Sequence, residues 1–140
     1  MSAAVVLLLV ALYCAGQAVV ALVQPETIAG VVALDITNPQ ARSEVMTFYG
    51  GFYAGMAALF ALALVRRSVR EGALAFLALA LTGAALARLW TVAMFPLGTL
   101  TAATLLIAEV IFAVLGWYGW VAHVRAADRP AVRDDVSAAP

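Results

Sequence analysis

Four stretches of this chain each run for about twenty residues with almost no charge, and that constrains the fold more than any other feature of the sequence. Residues 3–23 and 45–65 carry no charged side chain. Residues 72–95 are interrupted only by Arg88, and residues 100–122 only by Glu109. At a rise of about 1.5 Å per residue, about 20 apolar residues cross the roughly 30 Å of hydrocarbon in a bilayer. Inside that hydrocarbon a backbone must satisfy its own hydrogen bonds, so stretches of this length read as α-helices. The expected fold class is an all-α membrane protein, a four-transmembrane-helix bundle. Composition agrees: 66% of the 140 residues are hydrophobic and 11% are charged, against roughly 25% charged in a soluble domain.

The connections are short. Pro96-Leu97-Gly98 cuts the last long apolar tract into a hairpin. Arg66-Arg67-Ser68-Val69-Arg70-Glu71 reads as a tight basic loop. The longest connection is the segment 24–44, in which Pro25-Glu26-Thr27 signals a helix start and Asn38-Pro39 a turn. Its apolar middle, Ile28–Ile36, is too short to span. It is expected to lie on the membrane surface or to fold back over the helix ends. The tail, 124–140, mixes arginines with aspartates and is expected to be disordered, because such a composition cannot bury a core. The apolar run at the N-terminus lacks the basic flank of a secretory signal and reads as a retained helix; Tyr13 directly before Cys14 argues against a lipoprotein cleavage box.

Arginine distribution gives an orientation. With four spans, both termini and the Arg66–Arg70 loop share one side. That side holds Arg66, Arg67, Arg70, Arg125, Arg129 and Arg133, and the other side only Arg42. The positive-inside rule puts both termini in the cytoplasm, and the expected location is the cell inner (plasma) membrane. Trp117, Tyr118 and Trp120 then fall near the inner interface, where aromatic belts form.

A polar layer inside the apolar helices is the feature that bears on function. Arg88 lies ten residues before Gly98 and Glu109 eleven after it, so a helical hairpin brings both to one depth. At roughly 12–15 Å below the turn, an unpaired ion is expensive, and opposite charges on adjacent helices point to a pair. Gln17 and Tyr49 come from the other two helices at a similar level. Tyr13, Gln17, Ala21 and Gln24 share a face of the first helix, and Tyr49, Tyr53, Met56 and Phe60 a face of the second. The expectation is a polar chamber in the outer half of the bundle. A purely structural purpose competes with it, since such a pair also fixes helix register, and both readings stand at this point. Arginine beside Glu109 would keep the carboxylate ionised, which makes it a poor proton carrier.

Other residues carry less. Gly51 and Gly55 form a small-xxx-small pair, expected to serve contact within the bundle rather than dimerisation. His123 is the lone histidine and has no cysteine or carboxylate cluster for a metal site. Cys14 is the lone cysteine and reads as a small apolar packer. Glu26, Asp35, Arg42 and Glu44 read as solvated charges of the outer segment. No cofactor motif is present, and no basic patch suited to nucleic acid.

Pro25 after the first helix, the run Ala41-Arg42-Ser43-Glu44, then Tyr49-Gly50-Gly51, Gly83, Ala87-Arg88 and Glu109 form a pattern over residues 5–122. In it the chain resembles a bacterial family of small four-helix membrane proteins designated domain of unknown function DUF4345. The resemblance implies the topology and marks residues without assigning an activity. It also draws Arg42 and Glu44 toward the chamber as residues that cap it. The ligand-binding set expected from sequence is therefore Arg88, Glu109, Tyr49, Gln17, Glu44 and Arg42. The expected partners are the lipid bilayer, a small-molecule or lipid ligand, and a membrane protein partner or second copy. An accessory subunit of a larger membrane complex is the alternative. A membrane enzyme using Glu109 or Tyr49 as acid or base ranks below both, because no nucleophile–base set accompanies them.

Overall fold

The computed structural model describes residues 2–95 and 99–127. The expected turn at Pro96-Leu97-Gly98 and the tail from 128 onward lie outside the described residues. Among the described residues the chain is all-helical: α1 Ala3–Val23, α2 Pro25–Val31, α3 Pro39–Val45, a π-helical turn Met46–Phe52, α4 Tyr53–Val65, α5 Arg67–Met94 and α6 Thr99–Ala127. The run from α3 through the π turn to α4 is continuous, so four helices are long and apolar enough to cross a membrane: Ala3–Val23, Pro39–Val65, Arg67–Met94 and Thr101–Ala127. They pack as an antiparallel bundle in which each neighbours the next, and α1 closes the ring against α6.

Local chemistry sets the helix ends. The Ser2 side chain accepts from the Val5 N–H and opens α1. Asn38-Pro39 is a helix start rather than a turn: Asn38 Oδ1 accepts from the Ala41 N–H at 2.8 Å, and Pro39 occupies the first turn, where a missing N–H costs nothing. α2 closes with the Leu34 N–H on the Ala29 carbonyl and the Ala33 N–H on the Gly30 carbonyl. That is a Schellman closure with Ala33 at φ 55°, a position that favours glycine.

The basic segment 66–71 is not a loop. Arg66 alone is extended, and α5 begins at Arg67, five residues before the expected start. Arg70 folds back along the apolar surface and donates from Nε to the Ala63 carbonyl (3.1 Å) and from Nη2 to the Leu64 carbonyl (2.9 Å). Those are carbonyls that the end of α4 leaves without an intrahelical partner. α6 likewise runs past the expected boundary at 122 to Ala127, so residues 124–127 are helical.

Two apolar clusters lie at opposite ends of the bundle. The larger contains Val6, Leu7, Val10 and Cys14 of α1, Phe60 and Ala63 of α4, and Leu74 and Leu77 of α5, with Phe112, Leu115 and Trp120 of α6 against it. Helices approach closely there through glycine. A Cβ on Gly116 would sit 2.7 Å from the Ala78 backbone nitrogen, and one on Gly119 would sit 2.9 Å from a Leu74 methyl. The smaller cluster joins Ala21 to Ile28, Ala29 and Val45, with Ile36 and Tyr49 alongside. The apolar middle of segment 24–44 thus folds back over the helix ends; that end is called the cap end below.

Gly51 and Gly55 are a correction. Both are exposed, with nothing within 4 Å of where a Cβ would stand, so they make no contact within the bundle. Gly50 makes it instead: its Cβ would lie 2.6 Å from Leu22 Cδ2. The aromatic trio at the other end also divides. Trp117 donates from Nε1 to Thr82 Oγ1 at 3.0 Å, whereas Trp120 packs against the core. Elsewhere the helices present bare apolar surface, including Leu12 at 63%, Leu86 at 61% and Val114 at 60% exposure. Apolar surface of that extent marks faces that meet lipid or another protein.

Candidate functional site

Between the two clusters lies a layer to which all four long helices contribute a polar group. Its centre is the ion pair between α5 and α6. Arg88 donates from Nε to Glu109 Oε2 at 2.8 Å and from Nη2 to Glu109 Oε1 at 2.6 Å. Two parallel N–H···O bonds of this length are the strong, orientation-specific form of the arginine–carboxylate contact. The pair is enclosed but not sealed, with 28% of the Arg88 side chain and 15% of the Glu109 side chain accessible. Small residues make the room: Ala85 is buried and Ala84 half-buried one turn below Arg88. One turn above, the Thr91 hydroxyl donates to the Arg88 carbonyl at 2.9 Å and keeps its own polarity within the helix.

α1 brings Tyr13 and Gln17. Gln17 Nε2 donates to the Tyr13 hydroxyl at 3.2 Å, as an i, i+4 pair on one face. The Tyr13 ring rests on Phe112, with centroids 4.7 Å apart. Phe112 is one turn from Glu109 on α6, so this contact sets α1 beside the carboxylate. The second span brings Tyr49 and Tyr53, stacked with centroids 6.0 Å apart. Tyr49 is within electrostatic range of Arg88, and Tyr53 of Glu109, Tyr13 and Tyr49. Tyr49 belongs to the π turn Met46–Phe52. A π turn is wider than an α turn and shifts the register of the residues before it relative to those after it; such turns concentrate at functional sites. Gly50 within the turn lets Leu22 of α1 lie close against it.

Arg88, Glu109, Gln17 and Tyr49 are therefore gathered in one layer. Tyr13 and Tyr53 join them, and both lay on the helical faces that the sequence marks. Arg42 and Glu44 make their polar contacts elsewhere. Arg42 on α3 is paired with Glu26 on α2, both about half exposed, and this pair ties the two cap helices together. Glu44 Oε1 accepts from Gln40 Nε2 at 2.8 Å on the surface of α3. Arg42 also borders an open groove of about 380 Å³ between Leu22 and the ridge formed by Ser43, Met46 and Thr47. The Arg42–Glu26 tie was not anticipated. Its only trace in the sequence is a pair of Pro-led helix starts, one followed by an acid and the other by a base.

Among the described residues no group of three histidine, cysteine or carboxylate side chains is placed to hold a metal ion. His123 is half-buried near the end of α6, and Cys14 is buried in the larger cluster.

The family model described as a domain of unknown function, DUF4345, matches residues 2–120. No curated protein and no solved structure matches the chain. The match takes in the first three long helices, α6 as far as residue 120 and all six residues of the polar layer, and the chain belongs to the DUF4345 family.

Proposed function

We propose that this protein sits in the cell inner membrane with both termini cytoplasmic, and that it binds a small or lipidic ligand at the Arg88–Glu109 layer. One observation supports the reading above others. The pair stands where polar groups from all four helices converge, yet parts of both side chains stay accessible. A charge pair that served only to fix helix register would gain from being sealed, since water reaching it competes with its hydrogen bonds. An intramembrane ionisable residue is the default candidate for a functional site. The orientation rests on the arginine asymmetry of the sequence, with the cap end facing out.

The test is identification of what co-purifies. Wild-type protein and the Arg88→Leu/Glu109→Leu double variant, extracted in mild detergent, are compared by mass spectrometry of organic extracts. A compound retained in stoichiometric amount by wild type and lost from a folded double variant supports the proposal. Identical extracts from the two proteins oppose it.

A second reading, as a subunit packed beside another membrane protein or a second copy, is favoured by a different observation. Gly51 and Gly55 leave open space on the outer face of the second span, where another helix can approach closely. A Gly55→Leu variant that loses a detergent-stable assembly formed by wild type supports this reading.

A further inference from the structure

We infer that the ligand of the polar layer is an uncharged amphiphile presenting a carbonyl oxygen to Arg88, rather than an anion; the inference rests on the binding role proposed above. A guanidinium carries five N–H donors. Glu109 engages Nε–H and one hydrogen of Nη2. The second hydrogen of Nη2 and both on Nη1 have no acceptor among the described residues, and 28% of the side chain is accessible. Three donors of the guanidinium are therefore left for an incoming acceptor. Donors held at membrane depth call for an acceptor, because hydrocarbon supplies none.

The charge of that acceptor follows from what surrounds it. Glu109 already neutralises Arg88, so the pair exerts no net attraction on an anion and sets a carboxylate beside any that arrives. The remaining polar groups of the layer are the uncharged Tyr13, Gln17, Tyr49 and Tyr53. Arg42, the other cation in the half of the bundle toward the cap, is matched by Glu26. That half carries two arginines against four carboxylates, Glu26, Asp35, Glu44 and Glu109, so its field disfavours an anion further. A neutral carbonyl meets none of this opposition, and the guanidinium fork suits it. The apolar part of the ligand follows from depth. Arg88 is six residues inside the end of α5 and Glu109 ten inside the start of α6, roughly 9–15 Å along the helices. An occupant at that level stands among apolar walls and needs an apolar body.

The experiment uses a pair of probes with the same acyl chain, methyl dodecanoate and dodecanoate, which differ in charge and by one methyl group, at pH 8. Binding to the full chain in nanodiscs of uncharged phosphatidylcholine is measured by equilibrium dialysis against empty nanodiscs. Wild type is expected to bind the ester saturably and at least tenfold more tightly than the acid anion. Glu109→Gln, which leaves Arg88 charged and unmatched, is expected to reverse that order. Arg88→Leu/Glu109→Leu is expected to bind neither above the empty-nanodisc level. Where Glu109→Gln does not fold, wild type and the double variant decide. Tighter binding of dodecanoate by wild type, lost in the folded double variant, overturns the uncharged ligand and leaves the binding role standing. Binding of both probes that is unchanged in the folded double variant, or binding of neither by wild type, overturns the inference; the first of these also removes the binding role from this layer.

Discussion

Cutting the Arg88–Glu109 pair from each side in turn should give unequal losses, and the structure sets their order. Breaking a buried ion pair by removing one partner typically costs about 3–5 kcal/mol, most of it from the charge left behind. Arg88→Leu strands Glu109, the more enclosed partner at 15% accessible. Its short side chain cannot reach water from membrane depth, so about 3 kcal/mol is expected. Glu109→Leu strands Arg88, which is 28% accessible and long enough to extend toward the surface, so about 2 kcal/mol is expected. The double variant replaces both charges with apolar groups of similar volume and should lose about 1 kcal/mol or less. The implied coupling is about 4 kcal/mol, above the usual range for neighbouring residues because both bonds of the fork break together. Reversible unfolding in mixed micelles of rising dodecyl sulfate fraction, read by far-UV circular dichroism, measures all four proteins. Losses that add to within about 0.5 kcal/mol would mean the pair carries no coupling, and the reasoning would fail. A larger loss for Glu109→Leu than for Arg88→Leu would refute the part drawn from accessibility.

Four further outcomes follow from single positions. Gly116→Ala should destabilise by about 2–3 kcal/mol, because its methyl meets the Ala78 backbone, which no rotamer change can move; Gly55→Ala, facing open space, should be neutral or gain up to about 1 kcal/mol from helix propensity in the same unfolding assay. Arg70→Met should lose about 1–2 kcal/mol by uncovering the Ala63 and Leu64 carbonyls, and Arg67→Met, which is exposed, should change little; equal effects would deny Arg70 its capping role. Ala33→Gly should stabilise by about 0.5 kcal/mol, since the left-handed residue sheds its Cβ penalty and the added chain entropy offsets part of the gain; a loss on unfolding would contradict the Schellman closure. In a Cys14→Ala background, a membrane-impermeant thiol reagent should label a cysteine at Asp35 in intact cells and spare one at Arg67; the opposite pattern inverts the orientation.

The bundle was legible because a membrane helix announces itself by length and charge alone. The run from Ala3 to Val23 needed nothing more. The basic segment misled because charge was equated with loop. A long arginine side chain can run back along apolar surface and put its fork on carbonyls a turn away, as Arg70 does. A helix can therefore begin inside a charged run. Asn38-Pro39 misled in a related way, since the same two residue types open helices and make turns. Arg88 and Glu109 were paired correctly from counting alone, because depth in a helical hairpin depends only on residue rise. The π turn left no such trace. One additional residue per turn alters register without altering composition, and Tyr49 and Tyr53 keep the spacing of an α-helical face. The glycines show the complementary limit. A small-xxx-small pattern states that a close approach is possible, not which face uses it, and here Gly50, Gly116 and Gly119 take the contacts.

The distribution of packing bears on why the pair exists. Phe60, Leu7, Leu74 and Val6, all fully buried, hold the helices together at the end away from the cap. Gly116 locks α5 to α6 along the same stretch. The cap end is closed independently by Ala21, Ile28, Ala29 and Val45. The register of α5 against α6 is thus defined away from the cap by apolar contacts that do not involve Arg88 or Glu109, while the cap-end cluster joins α1 to α2 and α3. Apolar residues of similar volume in place of such a pair are often neutral or stabilising, and alanines already flank it on α5. A bundle selected for stability alone had a simpler solution at this level. The argument that the pair is kept for what it binds rests on that difference, and the double variant puts it to the test: a protein as stable as wild type, or nearly so, that no longer retains a ligand would show the charges to be dispensable for folding and required for binding.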